Sequence, residues 1–405
     1  MPIDDLLIAL FLILLLSRLL GEGCQRLGWP AVVGEIAAGV LLGPSILGWL
    51  APNQLLANIA ELGIILLLFS IGTETSIKRL YHAGSQVLLV ALIGIALPLL
   101  LTGFAAYYGL QLSPFAAIFY GCALTATSIG VSLSVLTHAG QQQQHTSQII
   151  LGAAVVDDIA GVVLLSVLFN FASNGHIAPG QLLQLIATLL AFLLLAPPLG
   201  RMMVYLLRFA SGHARNTGYE AVVMLALICL FAWQAHHAGA PALLGGFSAG
   251  LALSRQFVWP WQRYLQNPYP FTNKLEHAMK PLTEVFAPIF FVYVGISVDL
   301  SQLQLDGGNL LLIGAMIVLA LAGKLLAGLP VKGPWRDKWR VGCAMIPRGE
   351  VGLVFAQIGQ QLHIIPPEVF TELVLVIIIT TLLGPMLLKW LLPKPQPSSK
   401  PSSKP

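Results

Sequence analysis

Apolar residues run along this chain in blocks of about twenty, separated by short clusters of glycine, proline and polar residues. A helix needs about 20 mostly apolar residues to cross the hydrocarbon core of a bilayer, and the blocks predict thirteen such spans. The first six cover Ile3–Leu20, Pro30–Leu47, Gln54–Ile71, Gly84–Tyr108, Pro114–Leu136 and Thr146–Phe171. Seven more follow at Gln181–Leu207, Tyr219–Trp233, Pro241–Leu253, Lys280–Val298, Asn309–Leu329, Arg340–Gln360 and Glu368–Leu391. The expectation is an all-α polytopic membrane protein with 13 transmembrane helices. Asp4 and Asp5 stand at the start of the first span, where a cleavable signal peptide would carry basic residues, so that span reads as a retained helix.

Composition sharpens this reading. Of 405 residues, 57% are hydrophobic and only 9% charged, against about a quarter charged in soluble domains. That excludes a water-soluble enzyme. A net charge of +4, with no basic run interleaved with aromatics, excludes a nucleic-acid binder. The four cysteines are scattered and form neither a zinc pattern nor a disulfide framework, and no cofactor motif is present.

Charge placement tests the span count independently. All but two of the 21 basic residues lie in odd-numbered connections, at the span ends beside them, or in the tail. The even-numbered connections instead hold Asp299, Asp306 and Glu368. By the positive-inside rule the N-terminus is expected outside and the C-terminus in the cytoplasm. The two remaining basic residues, Lys324 and Arg348, fall within spans.

The second and ninth spans share a pattern: Gly34 with Ala38-Gly39, and Gly245 with Ala249-Gly250. The third and tenth each place a glutamate eleven residues before a glycine, Glu61 with Gly72 and Glu284 with Gly295. An offset of seven spans is odd, so the second copy must be inverted, as in many secondary transporters. The same offset pairs the fifth span with the twelfth, the two least helix-like. One carries Thr125-Ala126-Thr127-Ser128-Ile129-Gly130, the other Ile346-Pro347-Arg348-Gly349-Glu350. Proline and glycine at mid-span remove or weaken helical hydrogen bonds, and the freed backbone groups must line a cavity or meet side chains. Discontinuous helices at matching positions point to a binding site at the membrane midplane.

Ionisable residues inside spans are costly and mark ion pathways. Asp157 and Asp158 sit at the centre of the sixth span and point about 100° apart on a helix, so one can face a cavity and the other a neighbouring helix. Two carboxylates with nearby hydroxyls suit a hard alkali cation. Lys324 aims back along its helix toward the midplane, which favours an ion pair with an aspartate. Asp157, Asp158 and a protonated Lys324 sum to −1, so one proton or one monovalent cation neutralises the site. Competition for that single place makes an exchanger. Arg348 and Glu350 sum to zero at a helix break and read as compensation for half-helix dipoles. Glu35 reads equally as a pH sensor or as a packing or lipid-headgroup residue, Glu61 and Glu284 as solvated span-end residues, and His236 and His237 as an external loop in preference to a pH sensor.

These motifs, Val156-Asp157-Asp158, Thr125–Ser128, Gly323-Lys324 and Pro347–Gly352, resemble the paired-aspartate Na⁺/H⁺ branch of the bacterial cation:proton antiporter superfamily. The resemblance covers nearly the whole chain. It implies crossing discontinuous helices in a Na⁺/H⁺ antiporter fold, with no cofactor, in a bacterial inner membrane and working as a homodimer. It implies a mobile core (about 84–171 and 309–391), a dimerisation scaffold (about 3–71 and 219–298), a linker helix (about 181–207) and a disordered tail (393–405). By position, Asp158 is then the cation ligand and proton carrier, Asp157 the partner of Lys324, and Thr127 and Ser128 further cation ligands. Arg348 and Glu350 stabilise the crossed half-helices. The exchange implied is electrogenic, two protons per Na⁺ or Li⁺. K⁺/H⁺ exchange, and a separate regulatory subunit, stay open. A cation channel lacks use for the Lys324 counter-charge, and an intramembrane aspartyl protease needs its carboxylates on separate helices.

Overall fold

The computed structural model describes residues 3–74, 84–128, 132, 135–136, 145–174, 187, 202, 219–237, 241–253, 269–302, 307–348 and 350–392. Among these are thirteen α-helices and no strand. They are α1 (Ile3–Arg26), α2 (Ala31–Leu42), α3 (Gln54–Glu74), α4 (Gly84–Gly109), α5 (Pro114–Ala123), α6 (His145–Asn174) and α7 (Tyr219–His237). Next come α8 (Ala242–Leu253), α9 (Tyr269–Ser297), α10 (Gly307–Leu326), α11 (Trp335–Ala344), α12 (Glu350–Gln361) and α13 (Pro367–Leu391). Six stretches of these are long and apolar enough to cross a membrane by length and composition: 54–73, 84–109, 145–172, 278–297, 307–326 and 367–391.

Twelve of the thirteen predicted spans carry a described helix, the twelfth as the two pieces α11 and α12. The seventh span and the tail after Leu392 lie outside the described residues. Two boundaries differ from the hydropathy reading. α2 stops at Leu42 because Gly43 precedes Pro44, whose ring disfavours helical backbone in the residue before it. α9 begins at Tyr269, eleven residues before Lys280. Its polar first turns fall below any apolar threshold yet continue the hydrogen-bonded helix.

Packing sorts the helices into two groups. In one, α8 lies on α3 and α7, α9 on α2 and α3, and α1 on α2. In the other, α4 holds α5, α6 and α10, while α12 lies against α5, α6 and α13. A buried apolar core with members in both groups runs through the molecule.

Close glycine contacts display the inverted repeat. Gly34 backs onto the carbonyl of Leu20, and its counterpart Gly245 onto the carbonyl of Phe231. Gly39 meets Gly295 and the Val292 carbonyl; Gly250 meets Gly72 and the Phe69 carbonyl. The same contact is therefore made twice, each time between the second helix of one copy and the third of the other. Only a residue without Cβ permits backbones this close. Gly250→Ala is expected to over-pack the α8–α3 contact by about 1–3 kcal/mol, since backbone rather than a flexible side chain stands in the way. Its thermal unfolding midpoint in detergent should fall relative to Gly314→Ala, where nothing lies within 4 Å. Equal midpoints would show that the helices part without cost.

Candidate functional site

The fifth and twelfth spans break in the same way. α5 and α11 are each ten residues long and lead to a break. Leu124 N–H bonds the carbonyls of Tyr120 and Gly121, and Met345 N–H those of Val341 and Gly342. Beyond these caps the two chains satisfy each other's freed backbone groups. Ser128 N–H donates to the Pro347 carbonyl at 2.7 Å, the Thr127 hydroxyl to the Met345 carbonyl at 3.3 Å, and the Ser132 hydroxyl to the Ala344 carbonyl. Thr381 of α13 places its hydroxyl 3.1 Å from the Arg348 carbonyl. The breaks are thus a bonded crossing, as buried backbone in a membrane requires.

Four charged side chains converge there. Asp157 is 2% exposed, Asp158 7%, Lys324 0% and Arg348 2%. The Lys324 Nζ lies 3.2 Å from Asp157 Oδ2 and donates to the Thr127 hydroxyl at 2.7 Å. Asp158 is near enough to act on Lys324 electrostatically. Arg348 donates from Nη2 to the Ala320 carbonyl at 2.7 Å, which ties the crossing to α10. Local sequence explains how Lys324 reaches the site. Gly323 lets α10 close onto α4 at Pro98, and the ammonium lies over Gly94, where no side chain intervenes.

The structure brings Asp157, Asp158, Thr127, Ser128, Lys324 and Arg348 into one region. It gives the Thr127 hydroxyl two protein partners. That hydroxyl accepts from Lys324 and donates to Met345, which leaves one lone pair of its oxygen for a further partner. Ser128 is buried and contributes its backbone N–H to the crossing. Glu350 opens α12, but its side chain and Gly349 lie outside the described residues. Pattern reading missed Thr381 and Gln357, because a threonine or glutamine within an apolar span carries no charge to flag it.

A cavity of about 130 Å³ separates the two helix groups on one side of the crossing. Its walls include Glu61 of α3, Phe169 of α6, His236 of α7, Tyr293 of α9, and Gln357 and Gln361 of α12. Gln357 is 5% exposed, and its Oε1 has no hydrogen-bond partner among the described residues.

An inverted repeat whose two broken helices cross beside a buried carboxylate pair and lysine defines an ion-coupled secondary transporter. The chain matches the family described as sodium/hydrogen exchanger, transmembrane, over residues 8–394. It is 32% identical to the high-affinity Na⁺/H⁺ antiporter NhaS3 of a Synechocystis strain, across 95% of this chain and 89% of that one. It is 33% identical to a Na⁺/H⁺ antiporter of Enterococcus hirae, across 95% and 97%. With the Na⁺/H⁺-K⁺ antiporter GerN of Bacillus cereus it shares 30% identity across 94% of each. The fold resembles that of the sodium proton antiporter MjNhaP1 from Methanocaldococcus jannaschii, with a TM-score of 0.72 at 17% identity over 95% of this chain and 97% of that one. The chain belongs to the sodium/hydrogen exchanger family.

Proposed function

We propose that this chain exchanges Na⁺, and Li⁺ as a second substrate, for protons, with Asp158 carrying the ion. The observation that carries the reading is the fully buried Lys324–Asp157 pair at 3.2 Å, next to Asp158 and beside two crossed helix breaks. With Lys324 charged, the two aspartates leave one negative charge for a proton or a cation to neutralise. An entering cation bridges Asp158 and Asp157, releases Lys324 from the pair, and expels protons from both Lys324 and Asp158. The transported ion is substrate, and the carboxylates with the carbonyls of the crossing are its oxygen donors. Arg348 holds the crossing to α10 while these charges change.

The helix group around α4, α5, α6 and α10–α13 is the moving body in this reading. The group around α1–α3 and α7–α9 is the fixed scaffold and, in a homodimer, the face that pairs. The cavity between them, bounded by Glu61 and Gln357, is the access route from the side on which α3 begins. The partition of basic residues makes that side the exterior, of a bacterial inner membrane on this reading.

The test is transport by the pure protein in proteoliposomes containing a pH-sensitive dye. Na⁺ and Li⁺ added to acid-loaded vesicles should each collapse the pH gradient. Failure of Na⁺, Li⁺ and K⁺ alike would end the exchanger reading. K⁺ is the second reading, favoured by the likeness to GerN, and a K⁺ response exceeding that to Na⁺ would select it.

A further inference from the structure

Glu372 lies five residues into α13, one of the core-group helices, and is 6% exposed. It is not one of the charges at the crossing. Its carboxyl accepts a hydrogen bond from Asn309 near the start of α10 and stands within electrostatic range of Glu368 on its own helix. On α5, Tyr120 is fully buried, and its hydroxyl has no hydrogen-bond partner among the described residues. That hydroxyl and the Glu372 carboxyl interact electrostatically without bonding directly. By span order α5, α10 and α13 run in the same sense, and Tyr120, Asn309 and Glu372 each lie in the first two turns of their helix. Tyr120 is also in the last turn before the break, where its carbonyl caps Leu124.

The surroundings leave a negative Glu372 without compensation. Among the described residues no Lys or Arg forms an ion pair with it. Arg336 and Arg340 of α11 reach only the far end of α13, at the Leu391 carbonyl. The length of α12 nearest this level offers the neutral amides Gln357, Gln360 and Gln361. The turn after α9 contributes Asp299, whose backbone N–H bonds Thr371 and whose carboxylate accepts from Ser301. Glu368 adds negative charge within range of Glu372. An acid held this way, away from water, is neutralised most simply by a proton on its own oxygen. The O–H so formed is a donor, and the Tyr120 hydroxyl, across one water, is an acceptor that lacks a partner.

We propose that Glu372, with Asn309 and Tyr120, forms a second proton-binding site in the core group, separate from the Asp158 site, whose loading sets the pH dependence of exchange. The reaction is a proton transfer: the O–H bond of the acid breaks as a water takes the proton, leaving a carboxylate held by Asn309. Its link to exchange rests on the function proposed above; its existence as a proton site does not.

Infrared difference spectra of the full chain in lipid, recorded across pH, read the site directly. Wild type should show a carboxylic C=O band that titrates, is absent in Glu372→Gln and shifts in Tyr120→Phe. In proteoliposomes Glu372→Gln should still exchange Na⁺, with the midpoint of its pH profile displaced by at least half a unit and the KM for Na⁺ at the optimum unchanged. Identical carboxylic bands in wild type and Glu372→Gln would overturn the proton site, whatever the transport result. A lost band with an unmoved pH profile would overturn its control of exchange. Should Glu372→Gln fail to accumulate, Glu372→Asp and Tyr120→Phe carry the same two readouts.

Discussion

Asp158→Asn is expected to abolish exchange while leaving the protein folded. The side chain keeps its shape and its burial at 7% exposure, so packing within α6 is preserved. What disappears is the negative charge. With Asp157 held by Lys324 at 3.2 Å, the site is then neutral before any ion arrives, and a cation has no carboxylate to meet until it has displaced Lys324 from Asp157. Removing one member of a buried charge pair typically costs about 3–5 kcal/mol, or about two to four decades in ion affinity at 1.36 kcal/mol per decade. The proton-carrying group is removed at the same time, so neither half of the cycle runs. Dye-reported pH changes on adding Na⁺ or Li⁺ should fall below a hundredth of the wild-type rate, with an unchanged elution profile in size-exclusion chromatography. A rate above a tenth would place the carrier elsewhere.

The elements read most directly from the amino-acid order are those fixed by local chemistry. Twenty-residue apolar blocks must become helices, because no other open structure satisfies its backbone in lipid. Gly34 and Gly245 mark matched positions because each sits where two backbones touch, and nothing but glycine fits at such a contact. The paired breaks were legible for a related reason: Pro347 and the hydroxyl-rich Thr125–Ser128 are poor helix formers in otherwise apolar surroundings. Register between distant helices left no such trace. Thr127 reads as a cation ligand from its place in the break, and its contact with Lys324, set by the depth at which α10 lies against α4, left no mark in the sequence. Glu372 escaped notice because it follows Glu368 closely at a span start, where acids are ordinarily solvated. Its burial follows from the packing of α10 and α12 on α13, whose approach no one-dimensional pattern records.

Lys324→Ala is expected to convert voltage-driven exchange into exchange indifferent to voltage. In the proposed cycle the wild-type protein moves two protons, one from Asp158 and one from Lys324, against one Na⁺. Each turnover therefore carries one net charge, and a potential of 100 mV changes the driving force by about 2.3 kcal/mol, roughly fifty-fold in the gradient it can sustain. Without the ammonium, Asp157 and Asp158 start as two acids. With no lysine to supply the second proton, the exchanging group in the proposed cycle is Asp158 alone, at one proton per Na⁺. Proteoliposomes clamped with potassium and valinomycin separate the cases. Wild-type rates should follow the imposed potential, and Lys324→Ala rates should lie flat across it. Lys324→Gln guards against loss of fold, since its amide can still donate to Thr127 and Asp157 while carrying no charge; it should behave as the alanine variant does. A variant that exchanges Na⁺ with the wild-type response to voltage would show that the second proton travels on another group. The 3.2 Å contact would then be structural only: a cation holding Asp157 in place while the ion passes at Asp158.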